Sequence, residues 1–96
     1  MSSPSNTPDA CPLKHPSVID ELLSDGSMVL FHKASRHLMS LNPTAALVWE
    51  YCDGTHTPAG IADEIRAVFP DRPSVGDDVS AILADLRDRG VLAEDR

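Results

Sequence analysis

The dipeptide Asn42-Pro43 constrains this chain more than any other feature. An asparagine side chain accepts from the free N–H groups of a helix's first turn, and a proline in the first helical position lacks an N–H that would have had no partner there. A helix therefore starts at this point. Before it, residues 36–41 (RHLMSL) are extended in character, with Leu38, Met39 and Leu41 mixed among polar residues. After it, residues 44–53 carry helix formers and an apolar stripe of Ala45, Leu47, Val48, Trp49 and Cys52, and Gly54 supplies the stop. A strand thus runs directly into a helix, and if that strand lies at a sheet edge its free N–H and C=O groups can pair with another peptide.

The flanking segments complete a small domain. Residues 18–23 and 27–32 are rich in Val, Ile, Leu, Met and Phe, and Ser24-Asp25-Gly26 lies between them. Asp-Gly is a strong hairpin signal because glycine accepts positive φ. The segment IDELL also fits a helical turn, so the first strand has two readings. A second turn through Lys33-Ala34-Ser35 brings residues 36–41 back antiparallel, giving a three-stranded meander. Residues 57–69 read as a second helix, with Thr57 as cap, Pro58 in the first position, and Ile61, Ile65, Val68 and Phe69 on one face. Gly60 weakens it by about 1 kcal/mol relative to alanine. After the break at residues 70–73, residues 74–89 form a third helix with Ser74 as cap and a stripe of Val75, Val79, Ile82, Leu83 and Leu86. Asp77 and Asp78 sit in its first turn and Arg87 and Arg89 in its last, as the helix dipole favours; Gly90 ends it. The expected architecture is α+β and winged-helix-like: a three-stranded antiparallel sheet followed by a three-helix bundle, spanning residues 17–93. Residues 1–16 hold four of the eight prolines amid Ser, Asn and Thr, and their composition reads as a flexible N-terminal tail.

Charge and cysteine usage narrow the function. A net charge of −7 opposes phosphate backbones and anionic membranes. Cys11 and Cys52 are too far apart in character, one in the tail and one on a helix's apolar side, to suggest a disulfide framework. Residues 1–16 lack the apolar core of a signal peptide, no run is long enough to span a bilayer, and a cytoplasmic setting is the default. Of the histidines, Cys52 and His56 straddle Gly54, and Cys11 and His15 lie among prolines. Neither pair resembles a zinc signature, and turn or strand histidines exposed to solvent are the plainer reading. There is no glycine-rich phosphate loop, Gly-x-Ser-x-Gly elbow or Cys/His dyad. The sequence therefore predicts a non-catalytic protein with no metal or cofactor of its own.

Two functions use such a scaffold. A DNA-binding winged helix would place its second or third helix in the major groove, but the third helix here sets Asp77, Asp78, Asp85 and Asp88 against Arg87 and Arg89. The other reading is peptide capture by β-augmentation at Arg36, His37, Leu38, Met39, Ser40 and Leu41. The third helix would form the facing wall with Val79, Ile82, Leu83 and Leu86, and Asp78 and Asp85 at the margin would receive Lys or Arg of the ligand. The helix aliphatics fit a plain core role equally well. A purely structural subunit is a third reading, and an unpaired edge also permits a homodimer by strand exchange.

The stretch LNPTAALVWEYCDGTHTPAGIADEI resembles the most recognisable segment of the PqqD-like family. Leu41-Asn42, Ala45-Ala46, Val48-Trp49, Asp53-Gly54, Thr57, and Ile61 with Ile65 carry the pattern, and Asp78-Val79, Leu83, Leu86 and Gly90-Val91 continue it. The similarity covers about residues 18–92. It implies a peptide-recognition element of pathways that modify ribosomally made peptides. Such an element binds the leader of a precursor peptide and presents it to a modifying enzyme, a radical S-adenosylmethionine protein or another maturase. The resemblance places the leader as an added strand beside the third β-strand, against the third helix. The longer basic and aromatic third strand of lasso-pathway relatives is replaced here by His37-Leu38-Met39, which leaves the pathway open.

Overall fold

The computed structural model describes residues 11–93. Three strands, β1 (Val18–Leu22), β2 (Met28–His32) and β3 (His37–Leu41), precede three helices, α1 (Pro43–Glu50), α2 (Pro58–Val68) and α3 (Val75–Asp88). The sheet is antiparallel in the order β1-β2-β3. This is the α+β, winged-helix-like arrangement that the turn and cap signals predict. The segment IDELL, open to two readings, is strand through Leu22.

Local chemistry explains each junction. In the first hairpin, Gly26 N–H donates to Leu23 O and Leu23 N–H to Ser27 O, with Gly26 at φ +91°. That is a tight turn closed by a bulge at glycine, the usual form of a three-residue loop. Asp25 Oδ1 accepts from the hydroxyl and the backbone N–H of Ser27, the hydroxyl first in effect, which holds the Asp25 carboxyl below its ordinary range. Asn42 Oδ1 accepts from Ala45 N–H at 2.8 Å and Thr57 Oγ1 from Gly60 N–H at 3.0 Å, so both caps form where the sequence puts them. Ser74 does not cap with its side chain. Its backbone (φ −103°, ψ 25°) is not extended as an N-cap requires, and its hydroxyl faces Asp78 Oδ2 at 3.4 Å instead.

Alternation along the strands sorts the sheet into two faces. Met28, Leu30 and Leu41 are buried beneath the helices with Ala45, Val48, Trp49, Ile61, Ile65, Val79, Leu83 and Leu86. Each large aliphatic fully removed from water contributes roughly 1.5–3 kcal/mol, so this aliphatic face is the main source of cohesion. Trp49 is wholly buried, and its indole N–H crosses to Asp20 Oδ2 on β1 at 2.8 Å.

Residues 11–16, which composition groups with the tail, are tied into the domain. Lys14 N–H donates to Cys52 O at 2.9 Å, Gly54 N–H to Pro12 O at 2.9 Å, His15 N–H to Val91 O at 2.9 Å and Ala93 N–H to Leu13 O at 2.7 Å. This segment lies between the exit of α1 and the chain after α3. It also explains why α1 stops at Glu50, short of the expected Asp53. Tyr51 and Cys52 N–H tighten onto Val48 and Trp49 carbonyls, and Cys52 O is already engaged by Lys14. The rest of the predicted tail lies outside the described residues.

Candidate functional site

β3 pairs only with β2 among the described residues, so one side of it is open. Hydrogen-bond parity shows which main-chain groups face outward. The bond from Leu23 N–H to Ser27 O, and the bond from Lys33 N–H to Ser17 O, set the odd-numbered residues of β2 facing β1. Met28, Leu30 and His32 therefore face β3, where their partners are Leu41, Met39 and His37. In an antiparallel ladder such pairs alternate, so Leu38 and Ser40 direct their N–H and C=O groups to the open edge. Arg36 is not part of the strand. It closes the turn at φ +66°, with its N–H donating to His32 O at 2.7 Å, so the extended run begins at His37.

Beside this edge lies a groove of about 340 Å³ lined by His37, Leu38, Met39, Asp88, Arg89 and Val91. Leu38 is 69% exposed, an unusual state for a large aliphatic in a strand. Met39 is half-buried against the core and forms the floor with the buried Val91. The wall is the last turn of α3 and its exit. Asp85 Oδ1 accepts from Arg89 Nε at 3.0 Å, one turn on, so the guanidinium is held at the rim.

The structure brings His37, Leu38 and Met39 together with the end of α3, and separates them from several helix residues named by sequence. Val79, Leu83 and Leu86 are buried and point into the core, and Leu41 is buried at the far end of β3. They back the wall without lining it. Ile82 is half-buried against the core. Asp78 sits at the start of α3, bound to Arg72 Nε at 2.9 Å. Asp88, Arg89 and Val91 line the groove and were not assigned to the site from the sequence. The stripe of α3 is readable by periodicity, but nothing in it says which end of the helix runs beside β3.

The histidines have structural surroundings. His32, expected at the surface, is buried. Its Nδ1 accepts from Ala34 and Ser35 N–H at 3.2 and 3.4 Å, fastening the turn before β3, and its ring lies 4.7 Å from that of His15. His56 Nδ1 is 3.1 Å from Asp53 Oδ1, which also accepts from the Thr55 hydroxyl and N–H. Those bonds, the hydroxyl's first, hold the Asp53 carboxyl well below the usual carboxylate range. Burial pushes the Cys52 thiol up to about 12. No group of three or more His, Cys, Asp or Glu suited to a metal occurs among the described residues. No helix among them is long and apolar enough to cross a membrane.

Comparison with known proteins shows the family. Residues 27–92 match the family described as coenzyme PQQ synthesis protein D. The chain belongs to the PqqD family. Its relatives include proteins described as PqqA binding protein from Rhodopseudomonas palustris. That of strain BisB5 is 33% identical and that of strain ATCC BAA-98 / CGA009 is 36% identical, each over 64 residues. The match takes in 66% of this chain and 63% of each relative, so it spans somewhat less than two thirds of their length. Two solved structures share the PqqD-family fold described above. One is TbiB1 in complex with the TbiA(beta) leader peptide, with a TM-score of 0.75 over 88% of this chain and 98% of that one. The other is lasso peptide synthetase B1 complexed with the leader peptide, with a TM-score of 0.72 over 88% and 99%. Both are 24% identical, and the likeness speaks to the fold.

Proposed function

We propose that this domain is a leader-peptide-binding chaperone. It pairs an extended segment of a precursor peptide with the open edge of β3 and presents it to a separate cytoplasmic enzyme, a radical S-adenosylmethionine protein or another maturase. The observation that carries this reading is the pair of outward-facing main-chain groups at Leu38 and Ser40, flanking a groove with an apolar floor. Main-chain pairing at such an edge supplies affinity, and the groove selects alternate side chains. His37, Leu38 and Met39 make the near side, while Asp88, Arg89 and Val91 make the far side. Asp85 and the exposed part of Ile82 extend that wall toward the middle of α3. Arg36 stands at the entrance, Ser40 continues the edge, and Leu41, Val79, Leu83 and Leu86 hold the two walls at their spacing. Asp78 would meet only a ligand long enough to reach the start of α3.

The descriptions of the relatives, which bind PqqA, and of the two complexes, which hold leader peptides, support this reading. The domain itself is proposed to be non-catalytic, leaving cofactor chemistry to its partner. The acidic side chains along α3 argue against the DNA-binding alternative, since phosphates would be repelled. Titrating the domain with a candidate leader and following backbone amide shifts tests the proposal. Shifts should centre on residues 37–41 and 88–91 and depend weakly on salt. Shifts confined to α2, or binding that vanishes steeply with salt, would overturn it.

A further inference from the structure

The segment ahead of β1 supplies one residue that reaches both walls of the groove. Residues 12–15 run between the exit of α1 and the chain after α3, and His15 is the last of them. Its N–H donates to Val91 O at 2.9 Å, on the α3 side of the groove. Its ring lies against that of His32, with centroids 4.7 Å apart and planes inclined at 45°. His32 is the cross-strand partner of His37, where the near wall begins, and its Nδ1 accepts from the Ala34 and Ser35 N–H groups of the turn before that wall. Two more bonds fix His15 in place: its Nδ1 accepts from Ser17 N–H at 3.0 Å, and its carbonyl from Val18 N–H at 3.0 Å.

The two walls are otherwise weakly joined. Among the described residues no hydrogen bond links β3 to residues 88–91, so their spacing is left to packing and to intermediaries. The path from Val91 through His15 to His32 crosses that gap with a close contact at each step. We propose that His15 is a positioning residue for leader capture: it ties the α3 wall to the turn that launches β3, and so holds the groove at binding width. The assignment rests on the groove being the leader site, and it gives a role to a segment that lies ahead of the family match at residues 27–92. A groove held at that width binds more tightly, because the peptide need not order its walls. A residue that served stability alone would leave the affinity of the folded fraction unchanged.

His15→Asn isolates the ring contact. The asparagine oxygen still accepts from the N–H two residues on, and the main-chain bond to Val91 O remains. Thr57→Ala is the control, since it removes the cap of α2, lines no part of the groove and lowers stability alone. In the free full-length chain, His15→Asn should speed amide exchange at Ala34 and Ser35 roughly fivefold or more, and Thr57→Ala should not. Each variant is then titrated with the same synthetic leader peptide whose shifts map the groove in the wild type. His15→Asn should bind roughly tenfold more weakly and Thr57→Ala as the wild type does, with circular dichroism showing both folded. His32→Asn, which keeps an acceptor for Ala34 N–H, should also weaken binding. Adding His15→Asn to it should weaken binding little further, because the ring contact is already gone. Unchanged exchange, equal losses in His15→Asn and Thr57→Ala, or additive losses in the double variant would each overturn the assignment while leaving the leader site in place. Wild-type shifts away from residues 37–41 and 88–91 would instead overturn the leader reading, and this assignment with it.

Discussion

The indole N–H of Trp49 reaches the carboxylate of Asp20 at 2.8 Å, joining the buried centre of α1 to the first strand of the sheet. Trp49 has no contact with solvent, so Asp20 answers a donor that water cannot reach. Asp20→Ala is expected to lower stability by about 1–3 kcal/mol through the orphaned N–H, and Asp20→Asn by less. Urea unfolding gives both values. In a Trp49→Phe background the Asp20→Ala loss should largely disappear, because the donor is gone.

Adjacent residues of β3 should respond oppositely to proline. Leu38→Pro removes an N–H that points to the open edge, so the fold should persist while leader binding falls at least tenfold. Met39→Pro removes an N–H directed at Leu30 and should destabilise the domain by about 1–2 kcal/mol or more. Thermal melts and binding isotherms on the two variants check this. Undiminished binding by a folded Leu38→Pro protein would refute the edge as the site.

Three glycines should separate cleanly. Gly54 has φ +84° and a Cβ there would lie 3.3 Å from Leu13 Cδ1, so Gly54→Ala should cost about 1–2 kcal/mol. Gly90 shares the left-handed backbone at φ +76° but has open space, so its alanine variant should lose less. Gly76 is the second residue of α3, where an added methyl would meet nothing within 4 Å, and Gly76→Ala should gain about 0.4–1 kcal/mol by restricting the unfolded chain. Denaturation midpoints give the order.

Cys52 predicts an alkaline limit. Burial raises its thiol from the ordinary 9.0 to about 12, so the folded state holds the proton more tightly than the unfolded chain. The stability this contributes is complete below pH 9 and is lost as pH rises toward 12. Cys52→Ala should remove that part of the decline, measured by unfolding at a series of pH values. In the native protein a thiol reagent near neutrality should label Cys52 far more slowly than after denaturation.

Much of the architecture is legible because its signals are local. Asn42, Thr57 and Asp25-Gly26 each act within four residues, and each does in the structure what its chemistry predicts. The missed features depend on distant partners. Residues 12–15 are held by the chain near 52–54 and 91–93, and isolated bridges leave no periodicity to read. His32 is buried because the turn that follows folds back onto its Nδ1. Arg36 takes a left-handed backbone to close that turn, a conformation that no arginine advertises. In the groove, β3 could be named from sequence, while Asp88, Arg89 and Val91 depend on how α3 lies across the sheet.

The parity of β3 carries a consequence for any peptide laid along it. Every second residue of such a guest would be sheltered between the groove walls, and those between would stand on the opposite side, in view of a visiting enzyme. A leader read in this way needs its recognition signals spaced by two, with one phase addressed to the carrier and the other to the machinery it serves.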